Sequence, residues 1–114
     1  MINKKSINRV ILVGHVGNNP ETRYTKEGRG VSSFSLATHE YKMASSEKEA
    51  ERTEWHNILA WGKAGEFADQ YIKKGQLVCV EGRLKTSKWT SKEGVPLSKT
   101  EIVANSITPL DWRP

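Results

Sequence analysis

TEWHNILAWGKAGEFADQYIKKG, residues 53–75, changes its hydrophobic period once, from two to 3.6. Over Glu54 to Trp61 the alternation puts Trp55, Asn57, Leu59 and Trp61 on one side of a strand and His56, Ile58 and Ala60 on the other. The second side, small and branched, reads as the interior. From Lys63 to Lys74 the pattern becomes helical: Ala64, Phe67, Ala68, Tyr71 and Ile72 make one apolar stripe. Lys73 and Lys74 suit the negative end of the helix dipole, and Gly75 suits the left-handed C′ position.

Outward from this strand–helix unit the chain reads as further strands. Ile7 to Val13 is one, ended by Gly14; Asn18-Asn19-Pro20 and Lys26-Glu27-Gly28-Arg29-Gly30 are turn signals; Val31 to His39 alternates as a second. Met43 to Arg52, small or charged, reads as an exposed connection. Beyond the helix, Gln76 to Thr86 is a strand in which Gly82 marks a bulge or bend. Ser91-Lys92-Glu93-Gly94 is a hairpin turn, and Ser98 to Ile107 is the last strand. The expectation is an all-β domain with one helix: an OB-fold, a five-stranded Greek-key barrel with the helix between strands 3 and 4. Its narrow interior would be filled by Val10, Leu12, Leu36, Ile58, Val78, Val80 and Ile102.

The 114 residues suffice for one domain, expected over 1–108 with a short stub at 109–114. The longest apolar run, Val10 to Val13, is far short of the roughly 18 residues of a membrane span. A lone Cys79 excludes an internal disulfide and a CxxC motif, and no secretory h-region follows Met1. A reducing, cytoplasmic location without membrane contact is expected. The net charge of +5 is unevenly spread: residues 1–30 carry +4, residues 31–82 carry −2 and residues 83–114 carry +3. If the two ends meet in the fold, their charge merges into one surface suited to a polyanion.

Signs of catalysis are missing. Gly62-Lys63 lacks the upstream glycine of a phosphate loop, and there is no GxSxG elbow. His15, His39 and His56 lie in different elements without a metal-ligand spacing, so neither metal nor cofactor is expected. The aromatics say more. A five-stranded interior cannot enclose four tryptophans, Trp55, Trp61, Trp89 and Trp112. Packing in the core or at an oligomer interface is one reading of the indoles; an outward stacking platform is the other. Lys85, Lys88, Lys92 and Lys99 around Trp89, and Lys63 after Trp61, favour the second. Cations track phosphates while rings stack on the unpaired bases of a single strand.

Several stretches in order carry a family resemblance. They are Asn8-Arg9-Val10-Ile11-Leu12-Val13-Gly14, Gly17-Asn18-Asn19-Pro20-Glu21-Thr22-Arg23-Tyr24, Ser35-Leu36-Ala37-Thr38 and Thr53-Glu54-Trp55-His56. Trp61-Gly62-Lys63, Tyr71-Ile72-Lys73-Lys74-Gly75, Val80-Glu81-Gly82 and Lys88-Trp89-Thr90 follow. From about Ser6 to Ile107 the chain resembles bacterial single-stranded DNA-binding proteins. The resemblance implies a homotetrameric OB-fold that coats single-stranded DNA in replication, recombination and repair, in the nucleoid-associated cytoplasm. It implies base stacking by Trp55, Trp61 (where Phe is common) and Trp89, with Tyr41 standing one residue from a further stacking position. It implies phosphate contacts from Lys63, Lys74, Lys85 and Lys88, and a subunit-interface role for His56. Residues 109–114 hold no acidic cluster of the kind through which the family recruits replication and repair proteins, so those partners are not expected. A specialised accessory module of primosome or mobile-element type, acting mainly through protein contacts, is the alternative.

Overall fold

Alternation along the chain is converted into strands wherever one side finds a common interior. The structure, a computed structural model, describes residues 5–42 and 50–111, and the side chains of 41, 42, 50 and 51 fall outside that description. Its elements are β1 (Val10–Val16), β2 (Glu21–Tyr24), β3 (Gly30–Lys42), β4 (Ala50–Trp61), α1 (Gly62–Tyr71), β5 (Leu77–Thr90) and β6 (Pro96–Pro109). One six-stranded sheet runs in the order β1-β5-β6-β4-β3-β2, and β1 returns to touch β3 through His15↔Ala37 and Val16↔Leu36. Ile58 and Ala60 of β4, Leu36 of β3, and Val78 and Val80 of β5 are fully buried together. Ile102 joins them, while Val10 and Leu12 pack half-buried at the margin. The expected core residues are therefore the ones that meet.

The expected five-stranded barrel with its helix between strands 3 and 4 is overturned. Six strands form a single sheet, the topology is OB-fold-like, and the helix lies between β4 and β5. The extra element is β2, four exposed residues, Glu21 to Tyr24, with no alternation to betray them. Pairing with Ser33 to Gly30 of β3 is what makes them a strand. The long strands also run past the core. β3 and β4 pair out to Lys42↔Ala50, and β5 and β6 out to Thr90↔Pro96, so their outer halves are free hairpins rather than barrel staves. The parallel join of β4 to β6 is only three positions, Ile58↔Ile102 to Ala60↔Ala104.

Other boundaries move for local reasons. The first strand runs through Gly14 to Val16, because His15 and Val16 bridge to β3. The connection expected over 43–52 is shorter, since β4 begins at Ala50; residues 43–49 lie outside the described residues. Helix α1 stops at Tyr71. Ile72 turns extended (φ −96°, ψ 133°), which drops its side chain into the core at 1% exposure. Lys73 and Lys74 thus follow the helix instead of capping its dipole. Gly75, at φ 89°, serves the next turn and donates its N–H to the Val16 carbonyl at 2.7 Å. Gly82 does mark a bulge: a Cβ there would strike the Val103 carbonyl.

The two basic ends do come side by side. β1 pairs with β5 from Val10↔Gly82 to His15↔Leu77, and the Asn8 side chain bonds both the N–H and the carbonyl of Leu84. No helix among the described residues is long and apolar enough to cross a membrane. Ile58→Ala, at the centre of the buried cluster, should cost about 2–5 kcal/mol. Chemical denaturation followed by circular dichroism measures it, and a loss under about 1 kcal/mol would mean the site collapses around the cavity.

Candidate nucleic-acid interface

The side of β4 turned away from the core presents Trp55, Asn57, Leu59 and Trp61, as the alternation requires. The register with β3 places Ala37, Ser35, Ser33 and Val31 beside them in turn. β2 extends the surface, since Arg23 pairs with Val31 and Glu21 with Ser33. On the other flank, Lys99 and Glu101 of β6 border the same groove, a depression of about 320 Å³ that Asn18 and Arg23 also line. Lys99 and Glu101 form an ion pair at 3.3 Å. The Lys99 side chain is half exposed, at 52%, whereas that of Glu101 is mostly covered, at 13%.

Trp55 is 60% exposed, so its ring is not held there by burial. Backbone proximity holds it instead. A Cβ at Gly17 would lie 2.5 Å from Trp55 Cζ3 and 2.5 Å from Ser35 Oγ, so only glycine lets the β1–β2 connection pass beneath the indole. Asn18 fixes the same corner, its Oδ1 accepting from the Ser35 N–H at 2.9 Å and from the Ser35 hydroxyl at 2.7 Å. Trp61, half-buried, lies under Arg29, whose guanidinium carbon is 4.8 Å from the ring centroid. That cation–π contact orients the indole and sets a positive charge beside its face. The two rings are six residues apart, roughly 20 Å along an extended strand.

Trp89 is 47% exposed on the β5–β6 hairpin. Alternation and pairing put it on the same hairpin face as Lys85, Ser87, Leu97, Lys99 and Glu101, which continues the groove side of β6. Lys88 falls on the opposite face, across from Ser98, so the structure separates it from the Trp89 face. Lys63 and Lys74 stand near opposite ends of α1, both exposed; the Lys74 N–H donates to Asn19 Oδ1 at 2.9 Å. Tyr41 lies on β3 opposite Glu51, but its side chain and Trp112 fall outside the described residues. His56 faces inward and is half-buried, with Nε2 2.9 Å from Thr38 Oγ1.

The profile of the Single-strand binding protein family matches residues 7–110. The chain belongs to that family. It is 44% identical over 109 residues to the single-stranded DNA-binding protein of Xanthomonas campestris pv. campestris, covering 96% of this chain and 63% of that one. To single-stranded DNA-binding protein 1 of Chlorobaculum tepidum it is 47% identical over 107 residues, covering 93% and 66%. The chain thus spans less than two thirds of these curated relatives. A solved structure titled Plasmodium falciparum SSB complex with ssDNA superposes with a TM-score of 0.84 at 33% identity, covering 96% of this chain and all of that one.

Sequence reasoning missed Arg23, Arg29 and the bracing pair Gly17 and Asn18 as parts of this surface. Only the pairing of β2 with β3 brings Arg23 to the groove, and Arg29 lies in a turn whose direction no periodicity reveals. Among the described residues no group of three or more His, Cys, Asp or Glu side chains could hold a metal ion. Gly17→Ala should displace the Trp55 indole while leaving the core intact. Tryptophan emission should therefore shift without a matching loss in melting temperature; unchanged emission would show that the ring does not rest on Gly17.

Proposed function

We propose that this chain binds single-stranded DNA without reading its sequence, coating it during replication, recombination and repair. The observation that carries the reading is the outward row of Trp55 and Trp61 on one face of β4, with Arg23 and Lys99 bordering the groove. Every base has a π-face, so stacked rings take any sequence, whereas a duplex keeps those faces covered. Membership of the single-strand binding family and the similarity to a structure titled as a complex with ssDNA support the same reading. Trp55, Trp61 and Trp89, joined by Tyr41, supply the stacking in this account; Lys63, Lys74, Lys85 and Lys88 supply phosphate contacts, now with Arg23 and Lys99.

The working form in this reading is a homotetramer, with His56 near a subunit contact. Support comes from β1, which exposes Ile11 and Val13 on its outer face and, among the described residues, pairs with β3 only at His15 and Val16, leaving the edge from Val10 to Val13 without a strand partner on that side. An open edge and an apolar face both favour association with a second copy. Light scattering should return the mass of four 12.8 kDa chains, and a stable monomer in dilute solution would overturn the assembly.

Titration of tryptophan fluorescence with an unlabelled single strand, and with the corresponding duplex, tests the binding. Quenching by the single strand alone is expected; equal response to duplex would defeat the reading. Trp55→Ala should cost about 1–3 kcal/mol of binding. Its melting temperature should change little, because so exposed a ring has little packing to lose. If Lys63, Lys74, Lys85 and Lys88 each meet a phosphate, log affinity should fall against log salt with a slope of about −0.7 per contact, near −3 for one subunit. An affinity indifferent to salt would remove the phosphate contacts from the account.

A further inference from the structure

Arg29 and Trp61 meet at the end of the β4 row away from Trp55. The Arg29 guanidinium carbon lies over the indole, 4.8 Å from the ring centroid. Both backbone groups of Arg29 are tied to Thr25: its carbonyl accepts the Thr25 N–H at 2.8 Å, and its own N–H donates to Thr25 Oγ1 at 3.1 Å. Gly28, at φ 83°, closes the same turn by donating its N–H to the Thr25 carbonyl at 2.9 Å. A braced turn thus carries the guanidinium to the ring. The ring is half-buried, whereas Arg29 is exposed. Among the described residues no carboxylate pairs with Arg29, and its guanidinium N–H groups meet no acceptor. This end of the platform also lies away from β1, which bridges to β3 at Ala37 and Leu36, whereas Trp61 pairs with Val31.

We propose that at this end of the platform the strand stacks on the Arg29 guanidinium, with Trp61 as the plate behind it, in the order indole, guanidinium, base. The inference deepens the single-strand reading and rests on it: the stacking given to Trp61 is delivered through Arg29. A guanidinium is planar and weakly hydrated, so it can lie between two π faces. Unpaired bases stack on guanidinium planes as they do on aromatic rings. Displacing Arg29 to bare the indole would lose the cation–π contact, whereas a base laid over the guanidinium keeps that contact and adds a second.

The edge of the guanidinium keeps its N–H donors for a neighbouring phosphate, in the fork geometry that suits phosphate oxygens. One side chain then serves base and backbone together. Lysine at the same position would supply the charge and could sit over the ring, but it offers no plane for a base. Arg23 reinforces this end, since it reaches the groove beside Val31, the β3 partner of Trp61.

The test compares Arg29→Lys, Arg29→Gln, Trp61→Ala and the Arg29→Lys/Trp61→Ala double variant, using the anisotropy of an end-labelled thymidine oligonucleotide over a range of salt. Arg29→Lys should lose about fivefold or more in affinity with the salt slope unchanged. Arg29→Gln should lose at least as much and flatten the slope by about 0.7, the share of one phosphate contact. In the Trp61→Ala background Arg29→Lys should cost much less, because the plate behind the guanidinium is gone. The bonds to Thr25 use the Arg29 backbone, so melting temperatures should stay near that of the wild type. If Arg29→Gln loosens the turn, Arg29→Lys and the double variant still decide the matter. Arg29→Lys binding like the wild type would reduce Arg29 to a charge and overturn the proposal. Tighter binding by Arg29→Gln, the mark of a side chain that blocks the ring, would also overturn it, as would additive losses in the double variant. In each of those cases the wild type still binds the strand. A wild type that binds no single strand would overturn the single-strand reading itself, and this inference with it.

Discussion

The register between β3 and β4 is the constraint on which the rest depends. Twelve paired positions run from Val31↔Trp61 to Lys42↔Ala50, and because strand side chains alternate, this pairing fixes two surfaces at once. Inward it delivers Phe34, Leu36, Ile58 and Ala60 to the core. Outward it lines up Trp55, Asn57, Leu59 and Trp61 against Ala37, Ser35, Ser33 and Val31. A slip of one residue would bury two indoles and expose Ile58, so the burial that stabilises the fold also aims the platform. Core burial and the outward direction of the indoles are therefore set by one choice of register.

The remaining elements serve that strand pair. Helix α1 closes the core by burying Ala68 and then giving up its helical course so that Ile72 can follow. β5 pairs with β6 from Val78 to Thr90 and with β1 from Leu77 to Gly82, so beyond the Gly82 bulge the β5–β6 pair runs on without β1 and leaves the core as a hairpin. That hairpin carries Trp89 into solvent on the groove side. Gly17 and Asn18 do the finer work, one by yielding space to the Trp55 indole and the other by holding Ser35 below it. The surface is thus rigid at its floor and open at its rim, which suits a flexible polyanion with stackable bases.

Much of this was legible from residue order. The alternation in Glu54 to Trp61 gave the correct face for both tryptophans, and the apolar positions expected inside are inside, because burial of one side of a strand is a local pattern with a global consequence. The helix existed where its stripe lay, though it ended three residues early, since no local rule announces that Ile72 gains more from the core than from another helical turn. β2 was invisible: Glu21 to Tyr24 have no hydrophobic period, and their strand is made by a partner rather than by themselves. The miscounted strands and the misplaced helix number follow from that one segment.

Side chains brought together by pairing were out of reach in the same way. Arg23 beside the groove, Arg29 over Trp61, Lys88 turned away from Trp89 and His15 against His39 each depend on which strands are neighbours and at what offset. By itself the sequence determined the period of each strand, the residues able to enter a core, the basic excess and the family to which the chain belongs. Tertiary structure decided which charges meet which rings, because cross-strand distance is set by hydrogen-bond register between segments far apart in the chain, and register is a property of pairs.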